Sequence, residues 1–154
     1  MNNNQQSKAD KLVGQTASAG YQIGVRRIFP ISPEEAWAFL ISSEGLGLWL
    51  GNINGLAINE GETFTTSEGN SGEFRVVKPF QQLCLKWRKN EWAKPSTLQI
   101  RLISDNPDRT TISFHQENLD NANTREQMKL HWENVLTTIK HQTSHSDNPP
   151  VIPD

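Results

Sequence analysis

Met128, Trp132, Val135, Leu136 and Ile139 recur at i, i+4, i+7, i+8 and i+11, which puts all five on one stripe of a 3.6-residue helix. Lys129, Glu133, Asn134, Thr137 and Lys140 fall on the opposite side. The spacing predicts an amphipathic helix over 124–140, with Thr124 and Gln127 in the form of a capping box at its start. Such a helix needs an apolar surface to lie on, and the preceding chain supplies one in period-2 alternation. Phe74 and Val76 read as one face, as do Leu83, Leu85 and Trp87, then Leu98, Ile100 and Leu102, then Ile112 and Phe114. Arg75, Lys86, Arg88, Gln99, Arg101, Thr111 and Ser113 fall on the other face. Asn59-Glu60-Gly61, 67–70, Pro79 and 105–108 carry the turn chemistry between these runs.

Upstream, Tyr21, Ile23 and Val25 alternate with polar or small neighbours until Arg27 interrupts the pattern. Ser32, Pro33, Glu34 and Glu35 then bring together a cap, a first-turn proline and acids at the positive end of a helix dipole. They predict a short helix whose inner side is Ala36, Trp37 and Leu40. Ser43 and Glu44 open a second short turn carrying Leu46, Trp49 and Leu50, made tight by Gly45, Gly47 and Gly51. Residues 1–19 and 143–154 are polar or proline-rich without sustained period and read as tails around one domain over 20–142.

The order of strand, capped short helices, long meander and final amphipathic helix is the helix-grip arrangement. It is an α+β fold with a curved antiparallel sheet of six or seven strands. Several stretches resemble the SRPBCC (START-like) superfamily, and within it the branch similar to the C-terminal domain of the activator of Hsp90 ATPase. These are the run from Arg27 through Pro30, Ser32 and Pro33 to Trp37; Trp49 at the end of the second short helix; Glu60-Gly61-Glu62-Thr63-Phe64; and Pro79 to Trp87 with Trp92 and Ser96-Thr97-Leu98. The last is His131-Trp132-Glu133 in the terminal helix. The chain departs from the family pattern at Glu62 and His131, where glycine is frequent. The superfamily includes lipid carriers, hormone-binding proteins, polyketide cyclases and co-chaperones, so the resemblance points to a fold before an activity.

A chain of 154 residues is one domain in size, burying about 68 to 70% of its unfolded surface. The formal charge of -2 argues against nucleic acid or anionic lipid as partner, and Cys84 alone excludes an internal disulfide. There is no secretory signal and no apolar run of membrane-spanning length, which gives a cytoplasmic expectation. Trp37, Trp49, Phe64, Phe74, Trp87, Trp92, Phe114, Met128, His131 and Trp132 are the candidate ligand-binding residues. The resemblance implies a cavity between sheet and helix, and aromatic walls suit a flat apolar guest. No catalytic, metal or cofactor site is expected, because the four histidines lack ligand spacing and Glu34 and Glu35 are explained by the helix start. The leading expectation is non-enzymatic binding of a small apolar or aromatic molecule. The alternative is a co-chaperone-like domain acting on an Hsp90-type ATPase, and a cyclase-like enzyme is the weaker third reading. Oligomeric state is left open.

Overall fold

The computed structural model describes residues 15–16 and 20–147, with side chains from 20 to 143. The strands are β1 (Gln15–Thr16), β2 (Gly20–Phe29), β3 (Thr63–Thr65), β4 (Ser71–Lys78), β5 (Gln82–Arg88), β6 (Ser96–Asn106) and β7 (Arg109–Leu119). The helices are α1 (Pro33–Ile41), α2 (Ser43–Trp49) and α3 (Ala122–Asp147). One antiparallel sheet in the order β1-β2-β7-β6-β5-β4-β3 holds α3 on its inner face, which is the helix-grip fold.

Local chemistry accounts for the elements. The Ser32 side chain accepts from the Glu35 N–H while the Glu35 carboxylate accepts from the Ser32 N–H, so the predicted capping box closes and fixes where α1 begins. Ser42 ends α1 and caps α2 through the Gly45 N–H. A Cβ on Gly45 would sit 1.9 Å from the Phe39 carbonyl oxygen, so only glycine lets the two helices approach this closely. Leu83, Leu85, Trp87, Leu98, Ile100, Leu102, Ile112 and Phe114 line the inner face, and Met128, Trp132, Val135, Leu136 and Ile139 meet them from α3, all buried.

Four expectations change. Val76 does not share a face with Phe74: a bulge between them puts Val76 opposite Cys84 and Val77 opposite Leu83, so Val77 turns inward instead. The start of α3 is set by Asn121, whose side chain accepts from the Thr124 N–H and whose carbonyl accepts from Arg125, in place of a Thr124 cap. At its other end α3 runs past Lys140 to Asp147, because buried Thr143 extends the inner stripe and donates to the Ile139 carbonyl. Residues 143–147 are therefore helix, not tail. Within the other expected tail Gln15 and Thr16 pair with β2 as β1; the remaining tail residues lie outside those described.

Arg27, the interruption in β2, keeps the inward parity after all. Its Nη1 donates to Thr137 Oγ1 on α3 at 2.7 Å, so the aliphatic stem lies along the helix while the charge reaches its margin.

Candidate functional site

At the end of α2 the chain turns through Leu50 and Gly51, and the Leu50 carbonyl becomes a local anchor. Trp87 Nε1 donates to it at 3.2 Å. The neighbouring Trp49 donates from Nε1 to the Leu40 carbonyl at 2.9 Å. Both indoles are thereby satisfied and immobilised with their apolar bodies in the core. Gly51 has φ +134°, and a Cβ there would lie 2.7 Å from Thr66 Cγ2. That close approach brings the β3–β4 turn against the end of α2. The turn is held there by the Glu68 carboxylate accepting from the Asn52 N–H at 2.9 Å and by Asn70 Oδ1 accepting from the Asn90 N–H at 3.0 Å.

These contacts leave a cleft of about 430 Å³ opening beside α3. Trp49, Trp87, Leu48 and Leu50 supply apolar wall, Asn70, Lys89 and Asn90 a polar rim, and His131 projects from α3 to complete the border. The imidazole lies near-parallel to the Trp87 indole, with centroids 6.5 Å apart at 23°, and edge-on to Trp132 at 4.6 Å. Its Nε2 is buried and has no hydrogen-bond partner among the described residues. Burial, and secondarily the Lys89 charge, hold its pKa below the ordinary histidine value, so the neutral ring is favoured. Glu68 is shifted down chiefly by the Asn52 N–H and stays an anion at the rim.

Behind this cleft the sheet–helix junction is filled. Trp132 stacks on Phe114 at 4.9 Å and tilts against Trp87 at 5.7 Å, while Trp92 meets Trp87 edge-on at 5.6 Å. A buried relay locks the rings: Trp132 Nε1 donates to Gln116 Oε1 at 2.7 Å, Gln116 Nε2 to Ser96 Oγ at 2.9 Å, and Ser96 Oγ to the Trp87 carbonyl at 2.7 Å. Every side-chain donor in that chain finds an acceptor, as a buried polar network requires.

Of the ten predicted residues the structure therefore brings Trp49, Trp87 and His131 to one cleft, with Trp92 packed on its Trp87 wall. Phe114, Met128 and Trp132 are core beneath α3. Phe64 pairs with Phe74 in the core at 5.5 Å, and Trp37 packs edge-on against Phe80 at 6.2 Å; none of these four residues borders the cleft. Two features escaped the sequence reading. Gln116 sits at the inward parity of β7, after Ile112 and Phe114, and a glutamine at such a position is itself the signal of a buried hydrogen-bond hub. The rim residues Glu68, Asn70, Lys89 and Asn90 come from turns and had no periodic signal. Among the described residues no group of three or more metal-ligating side chains converges, and no helix is long and apolar enough to cross a membrane.

The family model described as "Activator of Hsp90 ATPase homolog 1-like protein" matches residues 30–143. No functionally curated protein matches the chain. Among solved structures, an Hsp90 activator of Plasmodium falciparum superposes with a TM-score of 0.69 at 20% identity, covering 81% of this chain and 97% of its own. A protein of Mesorhizobium loti gives 0.71 at 18% identity, with coverages of 82% and 99%. The Aha1 dimer of Colwellia psychrerythraea gives 0.61 at 18%, with coverages of 77% and 92%. At these identities the likeness is one of fold.

Proposed function

The chain belongs to the Activator of Hsp90 ATPase homolog 1-like family, and on that premise we propose that its domain is a non-catalytic binding module. Its guest is a small, flat, largely apolar molecule with a polar edge, held in the cleft of Trp49, Trp87 and His131. The observation carrying this reading is the buried, unpartnered His131 Nε2 beside two immobilised indoles. An imidazole nitrogen without a partner costs desolvation energy that a ligand hydroxyl or amide would offset, and the tryptophan walls offer flat apolar contact. The guest binds beside α3, because the rings of Phe114, Trp132 and Trp87 already occupy the junction beneath it.

The test uses 2-naphthol, a flat apolar body with one hydroxyl. It should shift tryptophan emission and raise the melting temperature, as linkage requires of a ligand that binds the folded state. His131→Phe keeps a ring against Trp87 and removes the nitrogens, and should weaken binding by about tenfold. No effect of 2-naphthol at millimolar concentration, or equal binding by the variant, would overturn the proposal.

A second reading is favoured by the filled interior together with the family: a co-chaperone-like domain that acts by its surface on an Hsp90-type ATPase, in the cytoplasm. Stimulation of such an ATPase by the purified chain supports it. No stimulation and no association at micromolar concentration counts against it.

A further inference from the structure

The guest charge that the cleft of Trp49, Trp87 and His131 accepts is set by its border, a step that rests on this cleft being the binding site. Three charged side chains line it: Glu68 from the β3–β4 turn, and Lys89 and Glu91 from the β5–β6 turn. They are not equivalent. Glu68 is committed to the fold, since its carboxylate accepts from the Asn52 N–H at 2.9 Å. Lys89 is exposed and, among the described residues, forms no ion pair with either carboxylate; the two ion pairs that occur are His115 with Glu117 and Arg125 with Glu126. The Lys89 charge reaches His131, where it adds to burial in disfavouring the protonated ring, and no carboxylate offsets it there. His131 thus experiences a positive surrounding although carboxylates outnumber cations on the border.

The β5–β6 turn fixes where this charge enters. The Trp92 N–H donates to the Lys89 carbonyl at 3.0 Å, and the Asn90 N–H donates to Asn70 Oδ1 at 3.0 Å. Arg88 Nη1 donates to the Trp92 carbonyl at 2.6 Å. Between these ties Glu91 takes φ +81°, a left-handed conformation that is uncommon outside glycine and is kept where the surroundings impose it. The backbone carrying Lys89 is thereby pinned to the cleft, while its ammonium stays uncommitted. The two indole N–H groups are already spent on the Leu40 and Leu50 carbonyls. Beside them, His131 and Lys89 are the groups left to meet the polar edge of a guest.

We propose that the guest of this cleft is an aromatic carboxylate, its flat body against the tryptophan wall and its anionic group between His131 and Lys89. A carboxylate accepts only, and it can take the imidazole N–H of the neutral ring, in the tautomer protonated on Nε2, together with the Lys89 ammonium. A neutral hydroxyl gains the first contact without the charge of the second. An aromatic cation is the poorest guest, because its charge would lie beside Lys89.

Three guests with one body and different charge test this on the full chain: 2-naphthoate, 2-naphthol and 2-naphthylmethylamine, followed by tryptophan emission and calorimetry. 2-Naphthoate should bind at least about tenfold more tightly than 2-naphthol, and the amine more weakly than either. The preference for 2-naphthoate should shrink as salt rises. Lys89→Met should bring the two affinities to within about twofold of each other, and Lys89→Arg, which keeps the charge, should restore most of the difference. Lys89 is exposed, so both variants should keep the melting temperature of the parent, which checks that the fold is intact. Equal binding of 2-naphthol and 2-naphthoate, tighter binding of the amine, or an unchanged preference in Lys89→Met would overturn the carboxylate while leaving the cleft a binding site. Absence of binding by all three at millimolar concentration would overturn both.

Discussion

Under the middle of α3, Trp132 stacks on Phe114 and gives its indole proton to Gln116, whereas its sequence neighbour His131 lies over Trp87 with a buried nitrogen that has no partner. Both residues are rings on one helix, packed against the same tryptophan. What separates them is whether the sheet opposite supplies an acceptor or donor at the right place. β7 does so for Trp132 through Gln116, and Ser96 completes the relay. Among the described residues no group reaches His131 Nε2, while Asn70 Oδ1 and the Glu68 carboxylate are engaged by the Asn90 and Asn52 N–H groups. A packed junction and an open cleft thus arise from nearly the same aromatic material, and the distinction lies in hydrogen-bond bookkeeping.

The sharpest way to break this contrast is Trp132→Ala. Trp132 is fully buried, so its removal from a filled junction should cost about 3 to 5 kcal/mol of stability, and it also leaves Gln116 Oε1 without its donor. Urea denaturation measures this directly. A loss below about 2 kcal/mol would mean that the junction collapses cheaply or was never tight, and the distinction between core and cleft would fail.

Gln116→Leu is the next test, because it keeps volume while removing the acceptor. Trp132 Nε1 loses its acceptor, whereas Ser96 Oγ loses the amide donor and still donates to the Trp87 carbonyl; an unsatisfied buried donor costs about 1 to 3 kcal/mol. Ser96→Ala in the parent leaves Gln116 Nε2 without its acceptor, a loss already absent once Gln116 is leucine, so the two substitutions together should cost less than the sum of each alone. Independent, additive effects of the two substitutions would show that the relay does not act as a unit.

How much of this was legible in advance follows from which signals are periodic. The inner faces of β5, β6 and β7 were readable because one strand face is buried and the period is 2. The capping box at Ser32 was readable because both of its partners lie within four residues. Val76 was misread because Val77 is equally apolar, and a bulge adds a residue without leaving a mark in composition. The helix end was misread because 141–147 are polar, and helix propagation there rests on backbone bonds and Thr143, not on an apolar stripe. The cleft was legible only in its walls. Its rim depends on Gly51 meeting Thr66 and on turns joined across long sequence separations, and no local pattern reports either.

The smallest effect tests the cleft side of the contrast by pH. His131 has its pKa lowered in the folded protein by burial and by Lys89, so between the unfolded value of about 6.5 and the depressed folded value the unfolded chain binds the extra proton. Stability therefore rises with pH across that window and is lost as pH falls through it, reaching its full loss only below the folded pKa. At neutral pH the ring is uncharged in both states and contributes no such penalty. His131→Phe should leave stability at pH 7 within about 1 kcal/mol of the parent and flatten the decline below about pH 6.5. Parallel denaturation series at several pH values give the comparison. An unchanged slope would show that His131 reaches water when protonated, which would also remove the unpartnered nitrogen from the case for a ligand in this cleft.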